Sequence, residues 1–256
     1  MNLQHSVCRW PFQDVPLPEF AEWCQELGIK GIDLLHPDEA LEIQKYHLTC
    51  PVTAAPEHPS GLGCIEKAFN HPDHHETLWE IYRDLIPQAA EAGIPNDITF
   101  SGNREGLSDK EGLENCARGL EPLLPLAEKH GVTLIMELLN SRVDHPDYQC
   151  DRSDWGLALC QKLGSPRFKL LYDIYHMQIM EGDIMAHIFK HSSYYAHYHT
   201  AGCPGRHELD ESQELYYPAI IEAIRQTGYS GFVAHEFIPT WPDPKRALAD
   251  AVKRCS

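Results

Sequence analysis

Four stretches of the chain share one local grammar: ELGIKGIDLL (26–35), EAGIPNDITF (91–100), KHGVTLIMEL (129–138) and TGYSGFVAHE (227–236). In each, a helical pattern stops at a Gly, and an apolar strand begins at once or after two residues. Gly just past a helix takes the left-handed stop, so the repeat reads as helix, turn, strand. In all, eight strand-like runs occur: LQHSVC (3–8), GIDLL (31–35), HLTCPV (47–52), NDITFS (96–101), VTLIMEL (132–138), FKLLYD (168–173), YYAHYHT (194–200) and GFVAHEF (231–237). Between them lie amphipathic segments such as LPEFAEWCQELG (17–28), HETLWEIYRDLIPQAAEAG (75–93), SDKEGLENCARGLEPLLPLAEKHG (108–131) and DRSDWGLALCQKLG (151–164), with Ser108 or Asp109 and Asp151 or Ser153 as N-caps.

Strands alternating with helices imply βαβ units and a parallel sheet. Eight units in 256 residues fit an α/β fold closed as a (β/α)8 TIM barrel, a single domain expected to take in residues 1–256. An open doubly wound sheet is the alternative, but no GxGxxG or GxxxxGK[ST] turn marks a nucleotide crevice. The least regular unit is the third, where TAAPEHPSGLGC (53–64) reads as a loop long enough to be functional.

A closed barrel gathers the C-terminal ends of its strands at one rim, so ionisable residues in those places should converge. Glu137 ends VTLIME, Asp173 ends FKLLYD, His199 ends YYAHYH and Glu236 ends GFVAHE, on the fifth to eighth strands. Three carboxylates and one imidazole suit a divalent ion, Mn²⁺ or Mg²⁺ first, with Co²⁺ or Zn²⁺ admitted by the nitrogen. Without a cation the carboxylates would repel one another. Each residue taken alone has a plainer reading, and Asp173 could simply cap the helix IYHMQIMEGDI; the pattern on four consecutive strands is what favours a metal site.

Composition excludes other classes. The formal charge is −17, with 38 acidic against 21 basic residues in no stripe, which disfavours nucleic acid and anionic membranes as partners. No apolar run approaches the ~20 residues of a membrane span. Nine scattered cysteines without a CxxC pair read as reduced thiols, and no signal-like segment opens the chain, so a cytoplasmic location is expected. The sixteen histidines make a metal worth seeking.

LIMELLNSRVDHPDYQCDRSDWG, FKLLYDIYHMQIMEGD, HTAGCPGRHELDESQELYYPAI and GFVAHEFIPT together resemble the hydroxypyruvate isomerase-like branch of the xylose isomerase-like (β/α)8 barrel superfamily, which also holds tagatose and psicose 3-epimerases. The resemblance is strongest over residues 94–240, and the combination of YDxYHxQ with AGxPGRHE is specific. It implies the same four metal ligands, Glu137, Asp173, His199 and Glu236, with Glu137 and Glu236 also catalytic. It implies substrate-binding roles for His176 and Arg206. Hydroxypyruvate isomerases often carry Gln, in HIQIAG, where this chain has His199 in HYHTAG as the epimerases do.

The implied reaction is isomerisation of a small keto-acid or sugar, one Glu removing a proton beside a carbonyl and the other returning one. Epimerisation shares the intermediate. A metal-dependent dehydratase or lyase of a keto-sugar is a third chemistry on this scaffold, and a sugar-binding regulatory barrel is the non-enzyme alternative. A DNA-repair endonuclease fits poorly, since it wants more metal ligands and a basic surface. Arg206 has a structural alternative as the ion-pair partner of Glu208 or Glu211. Ser101, Asn103 and Asn140 could meet substrate, Trp10 and Phe12 could form an apolar wall, and alternation aims His235 at the helix layer. The substrate within this class and the formation of a homo-oligomer stay open.

Overall fold

The computed structural model describes residues 3–56 and 58–256. Its first half contains β1 (Gln4–Cys8), α1 (Leu17–Glu26), β2 (Gly31–Asp33), α2 (Pro37–Ile43), β3 (Val52–Thr53), α3 (His75–Glu91), β4 (Asn96–Thr99), α4 (Asp109–Leu120) and α5 (Leu124–His130). Then follow β5 (Thr133–Glu137), α6 (Ser153–Leu163), β6 (Phe168–Asp173), α7 (Ile174–Met180), α8 (Ile184–His191), β7 (Tyr195–Thr200), α9 (Tyr217–Gln226), β8 (Phe232–His235) and α10 (Pro244–Arg254). All strand pairs are parallel, in the order β2-β1-β8-β7-β6-β5-β4-β3. Single parallel bridges at Gly31–Thr49 and Leu35–Thr53 join the two outer strands, so the sheet curls into the nearly closed (β/α)8 barrel that the alternation implies.

Two strands are shorter than their apolar runs. β2 ends at Asp33 because Leu34 turns to a φ of 65°. The third run, 47–52, ladders only at its end: His47 is left-handed and Pro51 has no N–H to donate. Gly31 accommodates that Pro, since a Cβ there would come within 2.7 Å of the Pro51 ring.

The helical segment 108–131 is interrupted. Ser108 caps α4 in a reciprocal box with Glu111, but Pro122 and Pro125 cannot donate, and a 3-10 turn at Glu121–Leu123 separates α4 from α5. At α6 the expected cap is corrected: Arg152 holds that position and its side chain makes no capping bond. Asp151 is committed elsewhere, to Arg104 at 3.1 Å, Arg152 at 3.2 Å and the Ser141 hydroxyl at 2.6 Å.

The main core lies between barrel and helices, and a smaller cluster of Val52, Ile98, Ile135 and Leu171 fills one side of the barrel interior. By register, Ser6, Cys8, Asp33, His197 and His199 face the other side. The interior is thus half oil and half polar, with the polar half leading up to the rim. Leu171 is fully buried in the apolar half; Leu171→Ala should lower the unfolding free energy by about 2–5 kcal/mol in a urea titration.

Candidate metal centre and active site

The register of the barrel decides which strand ends meet. Asp173 pairs with His199, and His199 with Ala234, which places Glu236 two residues beyond on the same face. A β-bulge in β7 at Ala196 sets this phase, bringing His197 beside Leu171 and His199 beside Asp173. Glu137 completes the set from the end of β5. His199 Nδ1 lies 3.2 Å from Glu137 Oε1, 3.1 Å from Glu236 Oε2 and 3.9 Å from Asp173 Oδ2. One potential ligand atom from each of these four buried residues falls within 4.8 Å of the others.

Asp173 divides its two oxygens. Oδ1 accepts from the His176 N–H at 2.8 Å, capping α7. Oδ2 and Glu137 Oε1 are buried without a hydrogen-bond donor, His199 Nδ1 standing near both. Burial and the Glu236 charge push the Asp173 carboxyl up to about 8, and burial with the same neighbour raises Glu137. Burial would raise Glu236 too, but His199 and Arg206 outweigh it and hold that carboxyl well below its usual range. Two buried carboxylate oxygens without a hydrogen-bond donor, beside an imidazole nitrogen, form a donor set fitted to a divalent cation.

Trp10, expected only as an apolar wall, and Cys8, Asp33 and His197, which sequence reasoning did not select, surround Glu236 and His199. Trp10 Nε1 donates to Glu236 Oε1 at 2.8 Å. Behind His199, its Nε2 faces Cys8 Sγ at 3.7 Å and Asp33 Oδ2 at 3.8 Å, and Asp33 pairs with His197 at 2.5 Å. Burial opposes the Asp33 charge, yet His197 and His199 bring the carboxyl down to about 2. The available signal was the spacing of His197 and His199, two apart on one strand and hence on one face. Asp33 was harder to see, because it is enclosed in an apolar run.

Arg206 Nη2 reaches Glu236 Oε2 at 2.6 Å. The alternative partners are engaged elsewhere: Glu208 accepts from Thr240 and Trp241, and Glu211 pairs with Arg254. Arg206 also has a left-handed backbone, φ 59°, fixed by its N–H to Gly202 O at 2.9 Å and its carbonyl to Ile238 N at 2.7 Å. Such a conformation persists only where the surroundings impose it. Its guanidinium lies 5.1 Å from the Trp10 ring.

His176 is fully buried. Its Nδ1 accepts from the Asn140 backbone N–H at 3.2 Å and stands 2.6 Å from Asn140 Nδ2, so in a neutral ring the proton sits on Nε2. Burial, then Arg206, keep the ring well below its ordinary pKa. Asn140 thus orients His176. Ser101 and Asn103 serve loops: Ser101 Oγ accepts from Cys150 N at 2.9 Å and the Asn103 carbonyl accepts from Asn70. Phe12 packs on Phe20 and Phe237 in the core, so of the expected aromatic wall only Trp10 lines the cavity. His235 contacts Thr200 and stacks on His5.

Over the carboxylates lies a cavity of about 330 Å³, with Ile65, Phe100 and Leu139 on an apolar side and Trp10, His145, Arg206, Glu137 and Glu236 on the polar side. Its volume is near the lower end of the ~300–1,000 Å³ of small-molecule sites. From the long 53–64 loop, Ala54 reaches this cavity, and residue 57 lies outside the described residues. A larger groove of about 690 Å³, edged by Asp38, Glu80 and Asp84, shares no residue with the strand-end cluster. No helix among the described residues is long and apolar enough to cross a membrane.

The profile of the xylose isomerase-like TIM barrel family matches residues 4–255. The 2-oxo-tetronate isomerase of Cupriavidus necator is 38% identical over 113 residues, 44% of this chain and 43% of that protein, so the match spans under half of that relative's length. The hydroxypyruvate isomerase of Escherichia coli is 29% identical over 247 residues, 88% of this chain and 92% of that protein. Among solved structures, one described as an AP endonuclease, family 2, from Brucella melitensis superposes with a TM-score of 0.86 at 24% identity, covering 96% of this chain and 97% of that one. At that identity the likeness speaks for the fold.

Proposed function

Since the chain belongs to the xylose isomerase-like TIM barrel family, we propose that it is a divalent-metal-dependent isomerase of a small keto-acid or sugar, of the hydroxypyruvate isomerase kind. The observation that carries this reading is the convergence of Glu137, Asp173, His199 and Glu236, with two buried carboxylate oxygens that accept no hydrogen bond. These four would hold the ion, Mn²⁺ or Mg²⁺ by their predominantly oxygen donors, with Co²⁺ or Zn²⁺ as alternatives. When bound, the ion would polarise the substrate carbonyl and make the adjacent C–H more acidic.

The protein's own groups move the proton. One of the paired glutamates takes it from the carbon bearing a hydroxyl, leaving an enediolate; the other delivers a proton to the former carbonyl carbon, while the hydroxyl proton passes to the former carbonyl oxygen. Trp10 and Arg206 fix Glu236 in place through its two oxygens, while Glu137 Oε1 accepts no hydrogen bond. His176 would present Nε2–H to a substrate oxygen, its ring held by Asn140. Ile65, Phe100 and Leu139 on the apolar side of the cavity would limit water beside the enediolate.

A ketose 3-epimerase is the second reading, favoured by His199 in the position that Gln often takes in hydroxypyruvate isomerases. Returning the proton to the same carbon from the other side gives the epimer. Incubation of the metal-loaded protein with C3 to C6 keto-acids and ketoses in D₂O tests both. Label at the former carbonyl carbon of an isomerised keto-acid is expected. Label with inversion at one carbon would favour the epimerase, loss of water the dehydratase, and absence of exchange from every substrate would leave only a binding protein.

A further inference from the structure

One side chain at the cavity has a built position and no role so far: His145, in the loop after β5. Asn140 folds that loop, its Oδ1 accepting from Val143 N at 3.0 Å and Asp144 N at 2.9 Å. The His145 N–H returns to Asn140 O at 3.1 Å, and the His145 carbonyl accepts from Tyr148 N at 3.1 Å. Asp144 ties the loop to α7 through the Tyr175 hydroxyl at 2.9 Å. These bonds set the half-buried His145 ring at the cavity, 5.4 Å from the ring of His176. Its Nε2 is shielded from solvent and has no partner; the same holds for His176 Nε2 and Arg206 Nε.

His176 Nε2–H and Arg206 Nε–H are donors left unpaired, and His145 supplies a third in its Nε2–H tautomer; together they are costly unless an acceptor arrives. Around the cavity the carboxylate acceptors are Glu137 and Glu236, both already assigned to the proposed metal centre. A neutral polyol would need side-chain acceptors for its own hydroxyl protons; a carboxylate needs donors alone. Resting on the metal-isomerase reading above, we propose that His145 is a substrate-binding residue that forms, with His176 and Arg206, a donor-lined subsite for the carboxylate of a small 2-keto acid.

Glycerate, which keeps the carboxylate and a hydroxyl but lacks the ketone, probes the subsite without turnover, and dihydroxyacetone is a neutral control of the same length. Calorimetry on the Mn²⁺-loaded protein should show glycerate bound more tightly than dihydroxyacetone. His145→Ala should weaken glycerate by roughly 10–100-fold, the worth of one hydrogen bond to a charged group, with the Mn²⁺ titration unchanged. His145→Gln, which retains an N–H, should recover part of the loss and guards against a loop that simply collapses. Equal glycerate affinity in wild type and His145→Ala, or no preference for glycerate in wild type, would overturn the proposal. Glycerate binding that depends on His145 in a protein that isomerises nothing counts against the isomerase reading and for the subsite; isomerisation with binding indifferent to His145 does the reverse.

Discussion

Glu137→Gln and Glu236→Gln should each reduce solvent deuterium incorporation into a keto-acid substrate by about 10²–10⁴-fold at saturating metal, the worth of a positioned acid or base. An amide keeps the shape of the carboxylate and one ligating oxygen but cannot carry the proton. The two variants are not equivalent. Glu236 Oε1 accepts from Trp10 and Oε2 from Arg206, so a Gln there must turn its NH₂ toward a donor and disturb that frame. Glu137 Oε1 accepts no hydrogen bond and has only His199 Nδ1 beside it, at 3.2 Å, so Gln fits there with less rearrangement. Glu137→Gln is therefore the cleaner test of proton transfer, and metal content measured beside the exchange separates lost chemistry from lost ligand. Exchange that survives in both variants would show that the paired glutamates do not move the proton.

The sequence displayed the barrel through periodicity and punctuation. Gly28, Gly93, Gly131 and Gly228 each have positive φ at the end of a helical segment, and this local rule holds wherever a helix must stop before a strand. The third unit was harder to read because Pro51 and the left-handed His47 interrupt an apolar run, leaving closure to isolated bridges. The four rim groups were visible because they end consecutive strands, a one-dimensional pattern that closure turns into proximity. Asp33, His197 and His145 were not. Asp33 meets His197 across 164 positions of sequence, their contact fixed by barrel closure and by the bulge at Ala196. His145 depends on a loop wound by Asn140, and a turn of that kind leaves no periodicity to detect.

Within the stretch YDIYH, Asp173 is both a helix cap and a candidate ligand and His176 is the proposed substrate contact, and two substitutions separate these roles. Asp173→Asn retains the Oδ1 that receives the His176 N–H, so α7 keeps its cap and the fold should hold. It replaces the buried Oδ2, which accepts no hydrogen bond, with an amide that brings no charge. Changes in outer partners of metal ligands already cost ~10–100-fold in affinity, so loss of a ligand oxygen should cost on the order of 100-fold or more. His176→Ala takes no atom from the four-residue cluster and should bind Mn²⁺ as wild type does. It removes the Nε2–H donor, and loss of one hydrogen bond to a charged substrate group costs roughly 10–100-fold in turnover efficiency, kcat/KM. Metal titration and deuterium exchange on both variants give opposite patterns if the assignment is right: Asp173→Asn loses metal, and turnover with it, while His176→Ala loses turnover alone. Unchanged Mn²⁺ affinity in Asp173→Asn would remove that residue from the metal shell, and metal loss in His176→Ala would mean that the imidazole supports the ion. The cap itself makes the contrast sharp, because one oxygen of Asp173 is fully occupied in holding the helix, and only the other is free for an ion.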